Sequence, residues 1–163
     1  MPNFYKTKLL TSIKSLNELA LVLKKEVDII DFKEPMYGSL GAMSIKKICS
    51  FLKLIPSNQL TSATIGDISD LPTIKKKVIN LSKTNIDFIK IGFFFDNKKI
   101  SSLKNLKDIA NNKKIIAVLF ADYNPSISII SEIKKAKFDG ILIDTKNKNN
   151  GNLTNYLNVN KLK

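Results

Sequence analysis

The chain has no histidine, no tryptophan and no arginine, and a single cysteine, Cys49, among its 163 residues. Each gap excludes something. One cysteine cannot close an internal disulfide. Without histidine, and with one thiol, the usual nitrogen and sulfur ligands of a zinc site are missing, so no metal is expected. No apolar run approaches the ~18 residues that a membrane span needs. The opening residues, Met1 to Lys8, lack the long apolar region of a secretory leader. A cytoplasmic protein without membrane attachment is the expectation.

Charge is present in excess of one sign: 27 basic residues against 14 acidic, a formal net charge of +13. Such a balance suggests a polyanion partner. The absence of arginine argues against one, because arginine makes the bidentate contacts to bases and phosphates. All 27 basic residues are lysines, and they are spread along the whole chain. Lysine, asparagine and isoleucine together look like the imprint of an A+T-rich genome. No specific nucleic-acid partner is expected, although the positive field would attract a phosphorylated small molecule.

Hydrophobic content of 44% and 25% charged residues suit a globular chain of one domain with a real core. Short apolar runs alternate with longer amphipathic ones. Strands are expected at 9–13, 28–33, 60–66, 87–94, 114–122 and 140–145. Helices are expected at 16–26, 44–54, 73–83, 100–111 and 126–137, with a last short one at 153–160. In the second helix, Ile45, Ile48, Phe51 and Leu52 fall on one face. Strict βα alternation argues a parallel sheet with helical crossovers. Runs such as "IIAVLF" suit strands covered on both faces. A doubly wound sheet and a (β/α)₈ barrel both fit this pattern. The first βα turn carries no G-x-G-x-x-G, so a dinucleotide site is unsupported and no cofactor is implied. Polar residues gather instead at the C-terminal ends of strands, where barrel enzymes place their chemistry.

Side chains alternate along a strand. In "DIIDFK" Asp31 and Lys33 share a face; in "DFIKIGF" Lys90 shares one with Gly92; in "GILIDT" Asp144 shares one with Leu142. If the wholly apolar face packs on helices, Asp31, Lys33, Lys90 and Asp144 converge inside the sheet near its C-terminal end. Charges buried there cost several kcal/mol unless paired. A lysine beside another cation, or in an apolar pocket, is a free amine nearer neutral pH and can attack a carbonyl to form a Schiff base. A second lysine or a carboxylate then moves protons. The plainer readings stand beside this one. Lys33 and Lys90 read also as frayed strand ends in a lysine-rich chain, and Asp144 as the cap of a loop. Asp67 in "TIGD" and Asp122 in "FAD" read also as ordinary turn acids. Gly38, Ser39 and Gly41 in "GSLGA" read either as a tight turn or as backbone N–H groups open to a phosphate.

"DFKEPMYGSLGA" (31–42) resembles the signature of the (5-formylfuran-3-yl)methyl phosphate synthase family, which makes the furan precursor of methanofuran. "SATIGD" (62–67), "DFIKIGF" (87–93), "FAD" (120–122) and "IDT" (143–145) resemble its later blocks, in the same order and at fitting spacing. The resemblance implies a (β/α)₈ barrel lyase that condenses two molecules of glyceraldehyde 3-phosphate. It implies that Lys33 forms the Schiff base and Lys90 transfers protons, with Asp31 and Asp144 as site carboxylates. Lys148 matches a further lysine, although "TKNKNNGN" departs from the family. Met36 and Tyr37 replace residues often charged in it. Gly38, Ser39, Gly41, Asp67 and Asp122 would line the substrate. The alternative is another Schiff-base aldolase acting on phosphosugars.

A complete barrel runs to about 250 residues, about 200 at the short end. Residues 1–163 hold about six βα units, which predicts a single, partial barrel domain. An open sheet has two edges. A fragment, a split enzyme completed by a second chain, a decayed remnant and a self-associated homo-oligomer all follow as readings of that length.

Overall fold

A computed structural model of the chain describes residues 7–94, 103 and 105–157. Six strands form one parallel sheet in the order of the sequence: β1 Leu10–Ile13, β2 Ile29–Phe32, β3 Leu60–Thr64, β4 Phe88–Gly92, β5 Lys114–Phe120 and β6 Gly140–Asp144. A doubly wound sheet reverses its strand order at a switch point. This one does not reverse, so the winding runs in one direction throughout.

Among the described residues six α-helices accompany the strands: α1 Leu16–Val22, α2 Ile45–Leu52, α3 Leu71–Ser82, α4 Leu106–Ile109, α5 Ser128–Lys135 and α6 Leu153–Tyr156. Their starts are written locally. Ser15 and Glu18 make a reciprocal capping box for α1, and Ser44 accepts from the Lys47 amide at α2. Asp70 accepts from the Thr73 amide, with Pro72 in the first turn of α3. That cap moves the start of α3 ahead of the expected 73. The expected helix over 16–26 stops at Val22, because the amides of Lys24 and Lys25 bond three residues back and tighten the chain into a turn. Part of the expected fourth helix and the end of the last one lie outside the described residues.

The apolar positions divide between two faces. Phe32, Ala63, Ile89, Ile91, Ile115 and Ala117 are buried on the convex face, in one cluster with Ile48, Ile74, Val78 and Ile133 of the helices. A second cluster fills the concave face. Leu40, just beyond β2, packs with Val118 and Phe120 of β5, and Phe94 and Leu142 lie against them. In a flat sheet β2 and β5 would stand roughly 14 Å apart. Their contact through Leu40 means that the sheet curls, with its C-terminal ends around a common mouth.

At the other end of the strands one bracket occurs three times. Asp28, Asp87 and Asp139 each stand just before an even-numbered strand. Each Oδ2 accepts the amide of a residue at the start of the preceding strand: Leu9 at 2.7 Å, Thr61 at 2.8 Å and Ile115 at 2.7 Å. The same partners are joined again by the aspartate's own amide, which donates to the Leu9, Thr61 and Ile115 carbonyls. The bracket fixes the register of each pair of strands. It also fixes which positions face inward: Asp31 and Lys33, Lys90 and Gly92, and Leu142 and Asp144 stand three and five residues after their respective aspartates.

Candidate active site

β2 carries the buried acid. Asp31 is fully buried, and all its partners are polar. Its Oδ1 accepts from Ser62 Oγ at 2.6 Å, and its Oδ2 from Ser12 Oγ at 2.8 Å. Ser12, Asp31 and Ser62 stand in register across β1, β2 and β3. Lys90 of β4 completes the set, with Nζ 2.6 Å from Asp31 Oδ2 and a side chain only 6% exposed. A buried charge pair persists where geometry and further hydrogen bonds repay desolvation, and here the two serine hydroxyls do so.

Lys33 follows Asp31 on the same face and is different in kind. Its amide continues the ladder by donating to the Ile13 carbonyl. Its side chain is half-buried, and among the described residues its ammonium has no hydrogen bond or ion pair. Burial, the largest cause, holds its pKa below the usual lysine value of 10.5; Asp144 opposes, Lys90 and Lys148 add to the lowering, and Asp31 opposes more weakly. These four charges are the other groups expected at the site, so the fold brings all five together. On the β6 side Asp144 pairs with Lys148, which also reaches Thr145 Oγ1 at 3.3 Å. A cleft lined by Asp144, Thr145, Lys148 and Gly151 opens there. A half-buried unpaired lysine, a paired ammonium and a carboxylate at one mouth are residue types that imine chemistry uses.

The model of one protein family, 4-HFC-P synthase, matches residues 9–163. The chain belongs to the 4-HFC-P synthase family. Among curated relatives it is similar to the (5-formylfuran-3-yl)methyl phosphate synthase of Methanobrevibacter smithii, 28% identical over 153 residues, covering 86% of this chain and 65% of that protein. The protein of the same name from Methanocaldococcus jannaschii is 33% identical over 122 residues, covering 70% of this chain and 52% of that protein. That of Methanococcus maripaludis strain C7 is 30% identical over 169 residues, with coverages of 95% and 71%. The chain thus spans between about half and about seven-tenths of the length of these relatives.

In this 4-HFC-P synthase family member the glycine-rich turn after β2 is closed by Asp67. The Asp67 carboxylate accepts the amides of Leu40 at 2.8 Å and Ser39 at 3.3 Å, and the Ser39 hydroxyl at 3.4 Å. Those N–H groups are therefore occupied by a carboxylate of the chain itself. Gly38 has φ +107°, and a Cβ there would run into the Asp67 carboxylate. Gly41 sits against the Glu34 carbonyl, where a Cβ has no room. Thr64 Oγ1 donates to the Leu40 carbonyl at 2.7 Å. Asp122 has the matching task after β5. It accepts the amides of Lys146 at 2.8 Å and Asn147 at 2.9 Å, fixing the segment beyond β6. Burial raises the Asp122 pKa, but these two amides and nearby Lys148 outweigh it and hold the carboxyl below its usual range.

Four contributors escape the sequence reading. Ser12, Ser62 and Thr64 occupy inward positions that strand alternation marks, but a hydroxyl in a strand is too common to single out. Lys146 pairs with Asp67 and lies 4.4 Å from the Phe94 ring centroid. Nothing in "TKNKNN" separates it from its neighbouring lysines.

Proposed function

We propose that this chain condenses two molecules of glyceraldehyde 3-phosphate into (5-formylfuran-3-yl)methyl phosphate, with loss of phosphate and water, as a lyase of methanofuran-type cofactor biosynthesis. The fold that would host it is of the (β/α)₈ barrel type, which the sequential strand order and the curl of the sheet support.

Lys33 is the reacting amine. Its lowered proton affinity leaves a larger fraction as free amine near neutral pH, and the free amine adds to the aldehyde of the first triose phosphate. Loss of water gives the imine, which acidifies the neighbouring C–H. Asp144, across the mouth, takes that proton, and the resulting enamine attacks the second aldehyde; one phosphate and water are then eliminated, and a water molecule hydrolyses the imine to return Lys33 as the amine. Lys90, paired with Asp31, hands a proton to departing or developing oxyanions. Lys148 balances Asp144. The turn at Gly38, Ser39 and Gly41, braced by Asp67, forms one wall for the substrate, and the loop braced by Asp122 forms the other. The net charge of +13 draws the phosphorylated substrate in.

The observation that carries this reading is the unpaired, half-buried Lys33 beside the Lys90–Asp31 pair. Turnover of glyceraldehyde 3-phosphate, followed by the absorbance of the furan aldehyde, tests it. Lys33→Ala abolishes both covalent trapping and turnover. Lys90→Ala still forms the imine but does not turn over. Unchanged turnover in Lys33→Ala contradicts the reading, and a sugar phosphate product without furan absorbance points to an aldolase.

A further inference from the structure

The proposed reacting groups stand on or just beyond β2, β4 and β6. Among the described residues β6 pairs with β5, and its convex residues Ile141 and Ile143 are 37% and 41% exposed. Elements with few buried contacts open most readily. Asp144 ends β6 and Lys148 follows four residues later, so the path of the segment after β6 sets how the two stand opposite Lys33.

Two anchors hold the segment after β6. Asp122 ties the Lys146 and Asn147 amides to the end of β5. The second anchor crosses the mouth. The Lys146 ammonium pairs with Asp67, which follows β3 and braces the turn after β2 through the Ser39 and Leu40 amides. The Lys146 ammonium also lies 4.4 Å and 5.8 Å from the ring centroids of Phe94 and Phe120, which belong to the cluster filling the concave face. One ammonium thus faces both the aromatic rings and a fixed carboxylate.

We propose that Lys146 is a positioning residue whose ion pair with Asp67 latches the β6 side of the mouth to the β2 and β3 side. Its importance for the reaction rests on the reading of Lys33 as the reacting amine. The same ammonium is poorly suited to hold a substrate phosphate, because it already pairs with the Asp67 carboxylate and a second anion would meet that charge at close range.

Two variants of the full chain test this. Lys146→Met keeps an unbranched apolar stem and removes the charge; Lys146→Arg keeps the charge. Amide hydrogen exchange needs no catalysis. The latch predicts that exchange at Leu40 and Asn147 quickens about tenfold in Lys146→Met, with Ile89 and Ala117 unchanged and Lys146→Arg close to wild type. Imine trapping at Lys33 is then compared for glyceraldehyde and glyceraldehyde 3-phosphate. The latch predicts that both rates fall by the same factor in Lys146→Met and return in Lys146→Arg. Unchanged exchange at Leu40 and Asn147 overturns the latch, as does a uniform rise across all strands, which marks a merely structural lysine. A loss confined to the phosphorylated aldehyde overturns it in favour of a phosphate ligand. Absence of any adduct in the wild type counts against Lys33 as the amine, while the exchange result still decides the latch.

Discussion

Lys90 Nζ lies 2.6 Å from Asp31 Oδ2, and the two side chains are 6% and 0% exposed. With Ser12 and Ser62 on the remaining lone pairs, the carboxylate is satisfied on both oxygens. Removing one partner strands the other. Asp31→Leu leaves a buried ammonium without its anion and is expected to cost roughly 3–5 kcal/mol of stability. The double variant Asp31→Leu, Lys90→Met leaves no charge behind and is expected to be more stable than the single one, with a coupling of about 1–3 kcal/mol. Urea unfolding of the four proteins measures the cycle.

Lys33 predicts the opposite sign. Its pKa in the folded chain is below the usual 10.5, with burial the largest cause. Between the lowered value and the unfolded one, the unfolded chain binds more protons, so this group makes stability rise with pH across that window. Below the window its charge is a constant cost to the fold. Lys33→Met removes the cost: the variant is expected to be more stable than wild type at neutral pH, with the advantage shrinking as pH rises toward 10.5. Denaturant unfolding at several pH values checks this.

Asp122 sets an acid limit. Its folded pKa is below the usual 3.8, burial being outweighed by the Lys146 and Asn147 amides. The stability it contributes is present above 3.8 and is lost as pH falls through the lowered value. Asp122→Asn is expected to flatten the acid limb of the stability profile and to speed amide exchange at Lys146 and Asn147. Thermal unfolding between neutral and acid pH, with exchange at those two amides, measures both effects.

Gly38→Ala tests the turn. Its backbone, at φ +107° and ψ −176°, lies in a region that residues with a Cβ avoid, and the added methyl meets Asp67. A cost of about 1–3 kcal/mol is expected, together with loss of trapping at Lys33, because the displaced turn forms a wall of the same mouth. Chemical denaturation and trapping on one preparation separate the two effects.

Much of the fold was legible because burial writes a strong pattern. The βα alternation follows from apolar runs, and alternation within "DIIDFK" and "DFIKIG" puts Asp31, Lys33 and Lys90 on the inward face they occupy. Helix ends were less legible, since the cap at Asp70 decides the start of α3 and a tightened turn decides the end of α1. The carboxylates at strand ends were visible as letters, but not the amides they face: a sequence does not say that Asp67 closes the turn of residues 38–41 or that Asp122 holds the loop after β6. The bracket of Asp28, Asp87 and Asp139 was present in "DIIDFK", "DFIKIG" and "DGILID", yet it rests on one shared letter per unit. Lys146 was hidden by the abundance of lysine, which deprives any single one of statistical weight.

The role of Lys33 is tested most directly by borohydride reduction in the presence of glyceraldehyde 3-phosphate, followed by mass mapping of the modified peptide. One reduced adduct is expected, on Lys33, absent in Lys33→Ala and retained in Lys90→Ala. An adduct on another lysine with Lys33 unmodified, or no adduct on the folded chain, would contradict it.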